Sequence, residues 1–258
     1  MDTIDGRVGL LEPTPVEERS SGAALGPEAP LYATMSTTRA IRHLSSDPVP
    51  DELIRSIIQA ALWAPSGRNA QGEAFVVVTD RTLMARLAVL WRQVVGDFRG
   101  SWGAAGFTID DRSSRLTIDG VDYEQEHFET IPALIVACYD GREDDRRLND
   151  PRLLVRLPRA LGIRGAIRVL RHARTFGGRS EAASIYPAVE NLLLAARAHG
   201  LGACLTTWHL LAEEDFKAIL GIPRDVQTFA VIPIGWPLRA FGPVRRGPVE
   251  TVIHRERW

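Results

Sequence analysis

Apolar positions follow two rhythms along this chain. Leu53, Ile54, Ile57, Ile58 and Ala61 recur every three to four residues, and Pro48, Pro50, Asp51 and Glu52 precede or open that run. A proline at the start and acids in the first turn predict a helix there. The second rhythm is a short, unbroken apolar run. Residues 74–79 and 132–139 read as strands covered on both faces, and 203–207 and 229–234 as two more strands. Helical spacing begins near Leu31 and returns over 81–95 and 213–220. From 96 to 128 the pattern weakens, as in a binding lid or a long surface loop. Leu, Val and Ile from Leu153 to Leu170 predict one or two surface helices. Ser184 to His199 is apolar on nearly every face, so it must be buried, most economically at a subunit interface. The tail from Pro237 to Trp258 reads as extended. Four or five strands interleaved with helices make the fold class α+β.

Composition narrows the field. Of 258 residues, 45% are apolar, enough for a sizeable core. Residues 1–30 are rich in Gly, Pro, Ser and Glu and read as a disordered or mobile arm before a domain over 31–258. They hold no apolar run of signal-peptide length, and a cytoplasmic location is the default expectation. No stretch is long and apolar enough for a membrane span. Cys138 and Cys204 sit in apolar runs as reduced core thiols. The net charge of −1 excludes a generally cationic nucleic-acid binder. Charge is nonetheless uneven: residues 142–179 hold 11 Arg against four acids. That insertion is expected to be a solvated helix face or lid, or else a region that attracts anionic phosphate groups.

Phosphate-loop, Cys-x-x-Cys and His-Glu-x-x-His motifs are missing. Gly200-Leu201-Gly202 follows a helix and precedes a strand, the reverse of a dinucleotide fingerprint, so it reads as a helix C-cap. More informative is Thr37-Thr38-Arg39-Ala40-Ile41-Arg42, whose two arginines would share one face of a helical turn. After it come Ala64-Pro65-Ser66-Gly67-Arg68-Asn69-Ala70-Gln71, Ile185-Tyr186-Pro187-Ala188-Val189-Glu190-Asn191, Gly202-Ala203-Cys204-Leu205-Thr206-Thr207, Ile232-Pro233-Ile234-Gly235-Trp236-Pro237 and Arg245-Arg246-Gly247-Pro248.

In this order the motifs resemble the nitroreductase family of FMN-dependent oxidoreductases. The resemblance spans roughly residues 31–258 and is weak at the insertions near 96–128 and 142–179. It implies a mainly antiparallel central sheet flanked by helices, in an intertwined homodimer with FMN at the subunit interface. NADPH or NADH would deliver a hydride to flavin N5, and a nitroaromatic, quinone or similar small aromatic acceptor would take it by a ping-pong mechanism. Carried over by position, Arg39 implies a phosphate or ribityl contact, Ala40 a close backbone approach, and Arg42 a cation at the pyrimidine end. Pro65, Ser66, Gly67 and Asn69 match the segment reaching the flavin from the partner subunit. Leu205, Thr206 and Thr207 match the strand along the ring, and Arg245 with Arg246 the C-terminal cations at the phosphate. Clustered arginine suits a phosphate, and a fixed cation near N1 suits a reduced flavin. No side chain is assigned as a nucleophile, no metal is expected, and nucleic acid is an unlikely partner. Three departures stand out: Thr38 where relatives often carry Arg, Ala40 where they often carry Ser, and Gly72-Glu73 where many carry Pro-Trp. Same-fold flavin-remodelling or dehalogenating enzymes are alternatives, as is a flavin-holding protein without turnover.

Overall fold

The structure is a computed structural model that describes residue 26 and residues 28–106, 112–141 and 150–258. Most of the expected arm and residues 142–149 of the Arg-rich insertion lie outside the described residues. Four strands, β1 (Glu73–Val78), β2 (Ala133–Tyr139), β3 (Gly202–Ala203) and β4 (Gln227–Gly235), form one antiparallel sheet in the order β1-β2-β4-β3. The helices are α1 (Leu31–Thr37), α2 (Asp51–Ala61), α3 (Arg81–Ala104), α4 (Arg112–His127), α5 (Leu153–Ala198) and α6 (Glu213–Leu220). Among the described residues no helix is long and apolar enough to cross a membrane.

The unbroken apolar run of β2 has a simple cause, since successive side chains point to opposite faces and both faces are covered. Leu134, Val136 and Cys138 pack with Met84, Leu87 and Trp91 of α3 and Phe216 of α6. Ala133, Ile135 and Ala137 pack with Ile57 of α2 and with Ile185, Val189 and Leu192 of α5. β1 departs from expectation. It is an edge strand, paired only with β2 in the sheet and half-buried over most of its length, with Val77 38% exposed.

Three other expectations are corrected. The 96–128 region is largely helical among its described residues: α3 continues to Ala104, and α4 covers Arg112–His127. Gly96 and Gly100 dilute the apolar spacing there, yet Phe98 packs at 5.0 Å from Trp102 and 5.2 Å from Trp208. The expected surface helices and the Ser184–His199 helix are one element, α5, with a break at Gly162, whose φ of +69° suits glycine. A single chain already buries Ile185, Ala188, Val189, Leu192 and Ala196 against the sheet side of α5. Finally, Arg39 and Arg42 do not share a helical turn. α1 ends at Thr37, Thr38 is extended, and Ala40 forms a parallel bridge to Ala203.

On the α6 side the sheet is pinned by a buried polar chain. The Thr228 hydroxyl donates to Glu213 Oε1 at 2.7 Å, and Lys217 Nζ pairs with the same oxygen at 2.9 Å. His209, 1% exposed, places Nε2 3.1 Å from the Thr228 hydroxyl, while its Nδ1 finds no partner among the described residues. Burial holds its pKa down to about 4. Unfolding restores the ordinary value, so the unfolded chain binds the extra proton between pH 6.5 and 4. The contribution is full above pH 6.5 and is lost as pH falls through 4, amounting to about 3 kcal/mol. Urea unfolding across that range should show a shallower acid loss for His209→Gln than for the parent chain. Equal slopes would remove His209 as the source.

Candidate active site

A cavity of about 400 Å³ opens where four segments meet. The first is the end of α1 and the extended strand after it, contributing Thr38, Arg39 and Ala40. This segment lies close to β3 because residue 202 has no side chain: a Cβ there would stand 2.7 Å from Ile41 Cγ2 and 2.9 Å from Leu44 Cδ2. The Ile41 amide donates to the Ala203 carbonyl at 2.9 Å, which fixes the register. The second wall is one face of α5, where Glu190, Leu193 and Arg197 follow at i, i+3 and i+7. The third runs from Leu201 through Cys204 to Leu205, and the fourth is the tail at Phe241, Val244 and Arg246. The tail is tied down by Val244, whose amide donates to the Ser36 carbonyl at 2.8 Å, and by Leu238, whose amide donates to the His43 carbonyl at 2.9 Å.

The lining is cationic, with Arg39, Arg197 and Arg246 against the carboxylate of Glu190. Arg197 is buried. Its guanidinium lies 4.0 Å from the centre of the Phe241 ring and its Nε donates to the Thr37 hydroxyl at 3.0 Å. Arg39 is exposed and passes over Gly242, where an added Cβ would meet its Nη1 at 3.2 Å. Cys204 lines the cavity as a thiol, because burial pushes its pKa up to about 12. A neutral thiol is a poor nucleophile. Among the described residues no group of His, Cys, Asp and Glu could hold a metal ion. What this arrangement can do is grip an anion while presenting backbone and small side chains to a flat group beside it.

Of the residues expected at the site, Arg39, Ala40, Leu205 and Arg246 line the cavity. Arg245 is exposed, and its carbonyl accepts from Arg246 Nη1 at 2.9 Å. Thr206 lies just beyond the lining, with its amide and carbonyl both bonded to Val231 at 2.9 Å. Thr207 caps the short turn over Trp208–Ala212. Arg42 is turned towards α4, where its Nε lies 3.4 Å from Glu124 Oε2. Glu124 is 4% exposed, and burial pushes its carboxyl up to about 7 while Arg42 opposes that shift. Stacking of His43 on Tyr123 and of Tyr123 on His127, each at 4.0 Å, clamps α4 to the same segment.

Pro65, Ser66, Gly67 and Asn69 do not line this cavity within the chain. They form the loop between α2 and β1, tied to α5 by the Gly67 amide, which donates to the Ser184 hydroxyl at 3.1 Å. Arg68, Asn69 and Gln71 all have positive φ, between 52° and 57°. Such strain in a short loop is a common mark of functional segments. The following Gly72 seats the ring of Tyr139, since a Cβ there would lie 2.6 Å from it. Arg197 and Glu190 were not singled out from the sequence. Two charges seven residues apart in an otherwise apolar helix were the signal that could have found them.

Known proteins resemble this chain in sequence and in fold. A protein from Thermus thermophilus named "NADH dehydrogenase" is 27% identical over 222 residues, covering 83% of this chain and 90% of its own. A "5,6-dimethylbenzimidazole synthase" from Rhodospirillum rubrum is 26% identical over 211 residues, covering 80% and 82%. Among solved structures, an oxidized iodotyrosine deiodinase bound to FMN and 3-iodo-L-tyrosine shares the fold. Its TM-score is 0.61 at 19% identity, over 89% of this chain and all of that one (100%). Residues 35–236 match the nitroreductase family, and with the antiparallel sheet and its flanking helices in place, the chain belongs to that family.

Proposed function

We propose that this chain binds FMN in the arginine-lined cavity and moves a hydride from NADH or NADPH to a small aromatic acceptor. The observation that carries this reading is the convergence of Arg39, Arg197 and Arg246 on one cavity beside Ala40 and Leu205. Arg39 and Arg246 are the exposed cations of that set and would take the FMN phosphate. Ala40 and Leu205 would lie along the ring, where a larger side chain at 40 would obstruct close approach. Arg42, turned in this structure onto Glu124, would have to swing from that carboxylate to present positive charge at the pyrimidine end. When bound, FMN supplies the hydride chemistry, and the protein supplies orientation and electrostatics. The relative named as an NADH dehydrogenase supports a nicotinamide donor. The deiodinase and synthase names make aromatic dehalogenation and flavin remodelling the competing activities.

We further propose a homodimer. Leu62 and Trp63, 52% and 75% exposed, stand immediately before the Pro65–Asn69 loop, and Val252 and Trp258 of the tail are 71% and 101% exposed. A second copy covering these side chains would carry Pro65, Ser66, Gly67 and Asn69 of one protomer to the flavin of the other.

The absorption spectrum of the purified chain, before and after anaerobic NADPH, tests the reading. Flavin bands that bleach with NADPH and return on adding a nitroaromatic are the expected result. A protein that stays colourless when FMN is added would overturn it. Bleaching that destroys the flavin would assign the remodelling activity instead. Arg39→Ala should weaken FMN binding by about 10- to 100-fold, the loss of a charge-assisted hydrogen bond. Titration of the apoprotein with FMN reads this directly, and unchanged affinity would remove Arg39 from the phosphate site.

A further inference from the structure

The Arg-rich half of α5 contributes no residue to the lining of the proposed flavin cavity. From Pro151 to Ser180 the chain contains eight arginines and no aspartate or glutamate. Ile163, Ile167 and Leu170 follow at i, i+4 and i+7 and are 72%, 58% and 47% exposed, so they form one aliphatic ridge open to the outside. Arg164, Arg168 and Arg171 each come one residue later, and all three are exposed, so a cationic ridge runs beside the aliphatic one. Ala166, further around the helix, is buried, which fixes the orientation of the pair of ridges. Upstream, Leu154, Val155 and Leu161 are also more than half exposed.

We propose that this part of α5 docks in the plane of an anionic lipid bilayer, Ile163, Ile167 and Leu170 entering the acyl boundary and Arg164, Arg168 and Arg171 meeting lipid phosphates. A bilayer surface offers an apolar layer directly beneath a negative one, the same juxtaposition in mirror image. A second copy of the chain fits less well. On a two-fold axis the ridge would meet itself, setting one acid-free arginine row against another. The attachment is interfacial, since no described helix spans a membrane. It holds whether or not the flavin reading does.

Vesicle flotation of the full chain tests it, with phosphatidylcholine vesicles compared against an equimolar mixture with phosphatidylglycerol, each at low and high salt. Binding to the anionic vesicles alone, weakened by salt, is the expected result. Each arginine contributes about fivefold to the partition constant, so Arg164→Gln/Arg168→Gln/Arg171→Gln should lower it on the order of 100-fold. Ile163→Ser/Ile167→Ser/Leu170→Ser should also detach the protein, with an unchanged circular dichroism melt. Absence of flotation with anionic vesicles, or equal flotation of the arginine variant, overturns the proposal. So does a parent chain that ignores vesicles while the aliphatic variant lowers its sedimenting mass, a result that assigns the ridge to a second copy.

Discussion

Glu213→Ala is expected to lower the stability of the fold by about 2–3 kcal/mol, the cost of leaving the buried Lys217 ammonium without its half-buried partner. Glu213 Oε1 accepts from Lys217 Nζ, from the Thr228 hydroxyl and from the Thr228 amide, at 2.9, 2.7 and 3.1 Å. Lys217 is the only lysine in the chain and its side chain is 6% exposed. Its remaining partner is the Arg224 carbonyl at 3.3 Å, too little for a desolvated ammonium. The pair as a whole is a weaker stabiliser than this figure, because each charge gives up its hydration to form it. Glu213→Ala combined with Lys217→Met should therefore regain more than half of the loss. Urea unfolding at neutral pH measures both variants. A Glu213→Ala protein within about 1 kcal/mol of the parent would show that water reaches Lys217.

Gly202→Val is the second large effect, and it acts on the site as well as on the fold. The first atom of any side chain at 202 would meet Ile41 Cγ2 at 2.7 Å and Leu44 Cδ2 at 2.9 Å. Ile41 and Leu44 are buried, and their segment is bonded to both Ala203 and the tail, so neither yields freely. Overpacking of this kind costs about 1–3 kcal/mol. The strain is relieved by moving residues 39–44 away from β3, which carries Arg39 and Ala40 out of register with Ala203. FMN affinity should consequently fall by more than the stability loss explains, and Gly202→Ala should show a smaller loss of both. Calorimetric melting together with FMN titration separates the two effects. Retained affinity in a destabilised Gly202→Val protein would mean that the segment flexes without disturbing the cavity.

Strong local signals carried much of the fold from sequence. The helix expected over 213–220 has those bounds, because acids open it and Gly221 closes it. β2 and β4 were visible as apolar runs because both sheet faces are covered. Each hidden element had a physical reason. Gly96 and Gly100 interrupt α3 without ending it, since Trp91, Val94 and Phe98 hold it to the core by tertiary packing. The polar stretch between Leu170 and Ser184, with Gly177 and Gly178 in it, made one helix look like separate ones. Motif order singled out Arg39, Ala40, Leu205 and Arg246, and these four line the candidate cavity. Arg197 escaped because its helix was read by its apolar majority. Its role becomes visible only when Phe241, from the far end of the chain, lies under the guanidinium.

That last contact has a consequence for how the protein acquires its site. Two of the four cavity walls come from residues 35–40 and from residues 241–246, near opposite ends of the family domain, so the opening closes only when both have docked on the sheet. Such a pairing is among the least local in the chain and belongs late in folding. A ligand held between Arg39 and Arg246 would staple those ends together and oppose fraying from either one, coupling cofactor occupancy to resistance against proteolysis at the termini.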